Sequence, residues 1–173
     1  MIKLIDFEPK HFPILRSWLG SERDLVQWGG PDLAYPITDH QFEQMASEGH
    51  TEPPTRMCWM GVTVALAGHI QVALDWRNGV ARIGRVMIAP NMRGQGVARP
   101  LLKAAVEQAF SRPEIERTEL NVYSWNVVAI RTYAKVGFSH EGMRRSSVKV
   151  GNERWDTAIM GMLRAEWELK RGC

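Results

Sequence analysis

The chain is poor in cysteine, in long apolar runs, in blocks of one charge and in linker composition. Its 173 residues include two cysteines, Cys58 and Cys173. They stand far apart and in no Cys-x-x-Cys spacing, which argues against a redox motif or a zinc site. The five histidines (His11, His40, His50, His69 and His140) show no metal-ligand spacing. No metal is expected, and these residues read as surface or hydrogen-bonded groups. No apolar run approaches the length of a membrane span, and Met1-Ile2-Lys3-Leu4-Ile5-Asp6 lacks the apolar stretch of a signal peptide. No membrane partner is expected, and the cytoplasm is the default compartment. With no internal repeat, linker or low-complexity tract, residues 1–173 read as a single domain long enough for one sizeable core. The net charge is only +3, which suits an anionic ligand without arguing for nucleic acid. The densest basic cluster, Arg144-Arg145 with Lys149, has no interleaved aromatics and reads as a solvated hairpin face.

What is present is an ordinary globular composition, 45% hydrophobic and 24% charged, with seven tryptophans. The stretch that organises the rest is Val86-Met87-Ile88-Ala89-Pro90-Asn91-Met92-Arg93-Gly94-Gln95-Gly96-Val97-Ala98. An apolar run ends at Pro90, a loop carries Arg93 and two glycines, and a helical pattern runs from Val97 to Phe110. A helix N-terminus holds unpaired N–H groups and about half a positive charge. Its natural guest is a phosphate or pyrophosphate. Gly94 and Gly96 let an anion approach the backbone, and Arg93 adds a charged donor. Two other phosphate loops fail here. A dinucleotide fingerprint needs glycine or alanine where Arg99 stands, and a P-loop needs Gly-Lys-Ser/Thr where Gly96-Val97-Ala98 stands.

Along the chain, Ile2, Leu4 and Asp6-Phe7 predict a short strand, and Phe12, Leu15 and Leu19 one face of a helix ending at Gly20. Residues 21–37 read as irregular around Trp28-Gly29-Gly30-Pro31 and Tyr35-Pro36. Thr38 or Asp39 caps a helix running through Glu48. Strands are predicted over Met57–Leu66, Gly68–Trp76 and Val80–Ala89, with turns at Ala67-Gly68 and Asn78-Gly79. After the Val97–Phe110 helix, Thr118–Tyr123 is a strand expected to run parallel to the one ending at Ile88. A helix from Asn126 or Val127 to Val136 stops at Gly137. Phe138–Val150 and Arg154–Leu163 make a hairpin around Gly151-Asn152. No element is assigned beyond Leu163.

The second informative spacing is Asn126-x-x-Ala129-x-x-x-Tyr133-x-x-x-Gly137-Phe138. Seven residues return Asn126 and Tyr133 to nearly the same helix face, with the small Ala129 between them. An amide at one end and a phenol at the other frame a groove for a long, thin ligand. Read alone, Asn126 serves equally well as a helix cap and Tyr133 as a half-buried ring.

Together these stretches resemble the GNAT N-acetyltransferases. The family's acetyl-CoA signature, Gln/Arg-x-x-Gly-x-Gly/Ala, reads as Arg93-x-x-Gly96-x-Ala98 behind the Val86, Ile88, Pro90 strand ending, and the Asn126–Gly137 pattern matches its second conserved region. The resemblance implies an α/β fold with a mixed, mostly antiparallel sheet of six or seven strands and about four helices. Its two parallel strands splay near Ile88 and Asn121. It implies acetyl-CoA as co-substrate, held by Val86, Met87 and Ile88 on the strand and by Arg93, Gly94, Gln95, Gly96, Val97 and Ala98 in the turn. Asn126, Ala129 and Tyr133 would contact the pantetheine arm, with Tyr133 as general acid on the departing sulfur. The implied reaction is direct attack of a primary amine on the thioester, whose carbonyl a backbone N–H near Ile88 polarises. A different acyl group such as succinyl, or a non-catalytic CoA-binding regulatory module, are the alternatives.

Within the family, Glu141-Gly142-x-Arg144, Gly151, Asp156 and Met162-Leu163-x-x-Glu166-Trp167 resemble the bacterial branch that includes ribosomal-protein N-terminal acetylases. Several members carry a base glutamate about six residues before the position of Ile88; Arg82 stands there instead. Glu119 on the neighbouring strand is the replacement candidate. Trp28, Pro31 and Tyr35 are expected in the acceptor wall, together with Arg82. Strand alternation allows only one of Arg82 and Arg85 to face the cleft. One inward arginine favours an amino-acid-like, peptide or otherwise anion-bearing amine over a polyamine or an aminoglycoside. The expected partner is thus a small-molecule or peptide amine, and a homodimer is compatible with this reading.

Overall fold

A computed structural model describes residues 2–171; Cys173 lies outside them. Seven strands form one sheet in the order β1-β2-β3-β4-β5-β7-β6: β1 (Lys3–Asp6), β2 (Arg56–Val62), β3 (Leu66–Asp75), β4 (Val80–Ile88), β5 (Arg117–Tyr123), β6 (Ser139–Val150) and β7 (Glu153–Leu163). Every neighbouring pair is antiparallel except β4 with β5. Six α-helices accompany them: α1 (Phe12–Ser17), α2 (Glu22–Gly29), α3 (Asp39–Ser47), α4 (Ala98–Phe110), α5 (Val127–Val136) and α6 (Arg164–Arg171). No helix among the described residues is long and apolar enough to cross a membrane.

Strand alternation sorts the core onto two faces. On β2, Trp59 belongs to one cluster while Cys58 and Met60 belong to another. The first face carries Ile70, Val72, Ala81, Ile83 and Leu120 against Leu101, Leu102, Ala105 and Val106 of α4 and Tyr133 and Val136 of α5. That is a hydrocarbon layer, and the i, i+3, i+4 spacing of α4 accounts for it. Pro100 sits in the first turn of α4, where a missing N–H costs little. The opposite face is covered over β1–β3 by α1–α3 through Phe12, Leu15, Leu25, Trp28, Phe42 and Met45.

The structure departs from the expected elements in three places. Residues 22–29 are helical, not irregular: the Ser21 hydroxyl caps the Asp24 N–H at 3.1 Å, and Leu25, Val26 and Trp28 face inward. The Gly29-Gly30-Pro31 stop, with Gly30 at φ +85°, hides this short helix from a reading based on composition. The β2–β3 turn falls at Thr63–Ala65, where Thr63 N–H bonds Ala65 O, so Leu66 already opens β3. And α6 follows β7 directly, the Glu166 carboxylate accepting from Leu163 N–H at 2.8 Å while Trp167 packs near Phe110. Two of these corrections, α2 and α6, raise the helix number from about four to six.

Candidate active site

The parallel pair is joined only at its start. Val80–Ile83 register with Arg117–Leu120; beyond them β4 leaves β5, which continues with β7 alone. The splay thus opens at Gly84 and Asn121, earlier on β4 than Ile88. A bulge lies at the same point. His69 pairs with Met87 and Gln71 with Gly84, so two β3 steps face three β4 steps. Arg85 absorbs the extra residue at φ +48°, in the left-handed region that a side chain disfavours.

Two buried rings hold that bulge. The Arg85 carbonyl accepts from Trp28 Nε1–H at 2.7 Å and from His69 Nδ1–H at 2.8 Å. A carbonyl only accepts, so His69 carries its proton on Nδ1. Burial drives the His69 pKa down to about 4 against a weaker upward pull from its bond to Arg85, and the ring is neutral at pH 7. Its Nε2 has no partner. Sequence reading placed Trp28 in an acceptor wall. It is instead a core ring, 5% exposed, that meets the site through the Arg85 carbonyl. Pro31 and Tyr35 stay exposed on the loop after α2, and Tyr35 OH bonds Gly20 O at 3.2 Å. His69 is the residue sequence reading missed: it is wholly buried on a strand whose flanking residues are apolar.

At the far end of β4, the ladder sets what faces the splay. Ala89 N–H bonds Ala67 O, so Gly68 and Ile88 form the intervening non-bonded pair. In such a pair the N–H and C=O point away from the neighbour, here into the splay. The Ile88 carbonyl accepts from Arg93 Nε at 3.2 Å, and Arg93 Nη2 lies 3.5 Å from the Met87 sulfur. Arg93 thus ties the turn back to the strand. Gly94 and Gly96 take φ of +74° and +76°, and a Cβ on either would meet nothing within 4 Å. The turn is open, lies at the N-terminus of α4 and is passable only to glycine without strain. Gln95 bonds Asn91 O at 2.8 Å, which braces the loop, and Val97 precedes the first residue of α4, Ala98. These are the features of an anion cradle, and a pyrophosphate fits them.

Asn126 caps α5, accepting from Ala129 N–H at 3.2 Å. That engages its oxygen and leaves the amide nitrogen free of this duty. Tyr133 lies one face down, 9% exposed, edge-on to Phe138 at 6.3 Å. Desolvation pushes its phenol up to about 12, so it is fully protonated at neutral pH.

Arg82 and Glu119 do not reach the splay. They pair across the joined half of β4 and β5, Arg82 Nη2 to Glu119 Oε1 at 2.6 Å. Glu119 also meets Arg117 Nε at 3.3 Å, and Arg117 grips Glu141 with both ends of its fork. A Cβ at Gly161 would collide with this chain of charges. A carboxylate held by two guanidinium groups is poorly placed to accept a proton from an amine, which corrects the base assignment. Strand alternation also breaks down at the bulge. The bulge returns Arg85 to the Arg82 side of the sheet, where its Nη1 reaches Gln71 Oε1 at 2.9 Å.

The branch-like residues near the C-terminus have structural work. Glu141 closes the ion chain, Gly151 turns the hairpin at φ +57°, Asp156 accepts from Ser146 N–H at 2.6 Å, Glu166 caps α6 and Trp167 fills the core.

A sequence profile described as the acetyltransferase (GNAT) family matches residues 16–138. The aminoglycoside N(6')-acetyltransferase type 1 of Klebsiella pneumoniae is 28% identical over 140 residues, covering 75% of this chain and 69% of that protein. The L-amino acid N-acetyltransferase AaaT of Escherichia coli is 23% identical over 130 residues, covering 73% and 78%. The crystal structure of spermidine N-acetyltransferase from Vibrio cholerae in complex with CoA and spermine superposes with a TM-score of 0.83 at 18% identity, covering 96% of this chain and 98% of that one. That last likeness is one of fold.

Proposed function

The chain belongs to the acetyltransferase (GNAT) family, and from that membership we propose an acyl-CoA-dependent N-acetyltransferase that moves an acetyl group from acetyl-CoA to a primary amine. The observation that carries the reading is an open two-glycine turn behind the end of β4, where that strand has splayed from β5; the protonated Tyr133 phenol belongs to the hydrophobic layer against which Val86 and Ile88 pack. Acetyl-CoA supplies the activated thioester. The residues of the chain do the rest. The Gly94–Ala98 amides hold the pyrophosphate, with the α4 dipole behind them. Val86, Met87 and Ile88 line one side of the splay, and the Asn126 amide and the small Ala129 border the other. Ile88 N–H, freed from any strand partner, polarises the carbonyl under attack.

Tyr133 donates to the departing sulfur. A phenol near 12 is a weaker acid than an ordinary thiol, near 8.5. It therefore stabilises the leaving thiolate as a hydrogen-bond donor and keeps its proton. The acceptor enters from the face of the sheet opposite α4 and α5. With Glu119 engaged by arginines, the ammonium loses its proton to water reaching the splay.

The relatives are named as acting on an aminoglycoside and an amino acid, whose common group is an amine. The acceptor is accordingly a small-molecule or peptide amine. The resemblance to ribosomal-protein N-terminal acetylases rests on residues that brace the scaffold, so it adds little about the acceptor. The reading is of a cytoplasmic enzyme needing neither nucleic acid nor membrane, and a homodimer is compatible with it. Free-thiol release from acetyl-CoA and succinyl-CoA, measured with and without an amine panel, tests it. Amine-dependent release with acetyl-CoA is expected. Release that no amine accelerates would overturn the reading.

A further inference from the structure

The cations on the acceptor-side face of the sheet are almost all neutralised in place. Arg82 pairs with Glu119, Arg117 with Glu119 and Glu141, and Arg56 with Glu48. Arg85 is the exception. Among the described residues no carboxylate lies within ion-pair distance of it. Its guanidinium lies 5.9 Å from the Trp28 ring centre, and Nη1 donates to the neutral Gln71 amide at 2.9 Å. Among the described residues the Nε–Nη2 edge of the fork has no protein acceptor. Glu48 and Asp32 act on the group at longer range, as does Arg56 with opposite sign, and the Cys58 thiol beside Gln71 is neutral, its pKa pushed up to about 12 by burial.

Such a group is costly to keep. Burial lowers the Arg85 pKa, and keeping a partly buried guanidinium without a counter-ion costs stability. The backbone beneath it is strained as well, and two buried rings are committed to holding it there. Arg85 is also well placed. It stands three residues before Ile88, roughly 10 Å along the strand, on the side from which an acceptor enters. An arginine side chain and a small acceptor together span that distance.

We propose that the free Nε–Nη2 edge of Arg85 is a carboxylate-binding subsite in the acceptor half of the splay, selecting primary amines that carry an acid group, as amino acids and peptide-like acceptors do. Two parallel N–H groups match the two oxygens of a planar carboxylate. The inference rests on the acetyl-transfer reading above and adds the acceptor class to it.

The test compares amino acids with their own amides, which differ only in the acid group, and with spermidine. Wild type should prefer the acid by about 10–100-fold in kcat/KM, the range for losing a charged hydrogen-bond partner. Arg85→Gln should abolish that preference through the KM of the acid, with the amide and acetyl-CoA constants little changed. Arg85→Lys keeps the charge without the fork and should lose part of the preference, which serves if Arg85→Gln does not fold. Wild type using amide or spermidine as well as the acid, or a folded variant losing acid and amide alike, overturns the subsite. Calorimetry of the acid against the wild-type CoA complex reads the subsite without turnover. Arg85-dependent binding of the acid with no acetylation of any amine would uphold the subsite and sink the transfer reading.

Discussion

The two ends of β4 carry one arginine each on the same face of the sheet, and they differ in almost everything else. Near its start, the strand is laddered on both sides and Arg82 is answered by Glu119 across the parallel pair. Past Ile83 the β5 partner is gone, the backbone bulges, and Arg85 stands without an acid. The first half is closed chemistry: every charge has its counter-charge and every amide its strand. The second half holds a strained residue, an unpaired cation, an unpaired Ile88 N–H and an open glycine turn. Groups left unsatisfied by a folded chain are the ones available to a ligand. Substitutions at the two ends should therefore have unequal effects.

The largest effect is expected at the turn. Gly96→Asp puts a side chain on a φ of +76° and a negative charge where a pyrophosphate is expected. Acetyl-CoA affinity by calorimetry should fall by at least about 100-fold, through lost anion contacts and added repulsion. Unchanged affinity would remove the turn from the binding site. Next comes Tyr133→Phe, which keeps the buried ring and removes its donor. A kcat lower by about 100-fold with an unaltered acetyl-CoA KM marks an interaction made in the transition state. Should kcat hold while chemistry limits the rate, Tyr133 has no part in the reaction.

Trp28→Phe deletes one of the two donors to the Arg85 carbonyl while keeping an aromatic core residue. The bulge then loosens, and kcat should drop by about tenfold from misplaced groups in the splay. Full activity would mean that His69 alone holds the bulge. His69 also leaves a pH signature. Its native pKa is about 4 against 6.5 unfolded, so below 6.5 the unfolded chain takes up a proton that the native chain resists. Stability is intact above 6.5 and is lost as pH falls toward 4. Between pH 7 and pH 5 that loss is about 2 kcal/mol. In denaturant melts the gap between wild type and His69→Gln should narrow by this amount on acidification, and a constant gap would contradict the assignment.

Much of this was legible in the residues themselves. The Val86–Ala98 turn and the α4 face follow from local rules, since glycine torsions and helical periodicity need no distant partner. The α5 cap is equally local, Asn126 being bonded three residues on. The bulge was not legible, because it is a register slip between β3 and β4 that only their alignment shows. That slip is what placed Arg85 on the Arg82 side, against simple alternation. His69 escapes notice and Trp28 is misassigned to the acceptor wall for the same reason: both act on a carbonyl brought to them by tertiary contact. Glu119 looked like a base on its strand, and only the sheet reveals Arg82 and Arg117 on either side of it.

The smallest effect belongs to the joined half. Arg82→Ala removes one end of the ion chain, from a side chain 60% exposed. Activity should stay within about twofold and stability within about 1 kcal/mol, the range for surface pairs. A large loss of kcat there would return the chemistry to Glu119.

Amide hydrogen exchange with and without acetyl-CoA tests the division of β4 most directly, because it reports each half separately. Protection is expected across 93–98, at the end of β4 from Gly84 to Ile88, and over 126–133, with Val80–Ile83 and Arg117–Leu120 unchanged. Protection centred on the Arg82–Glu119 half, with 93–98 unaltered, would contradict the account.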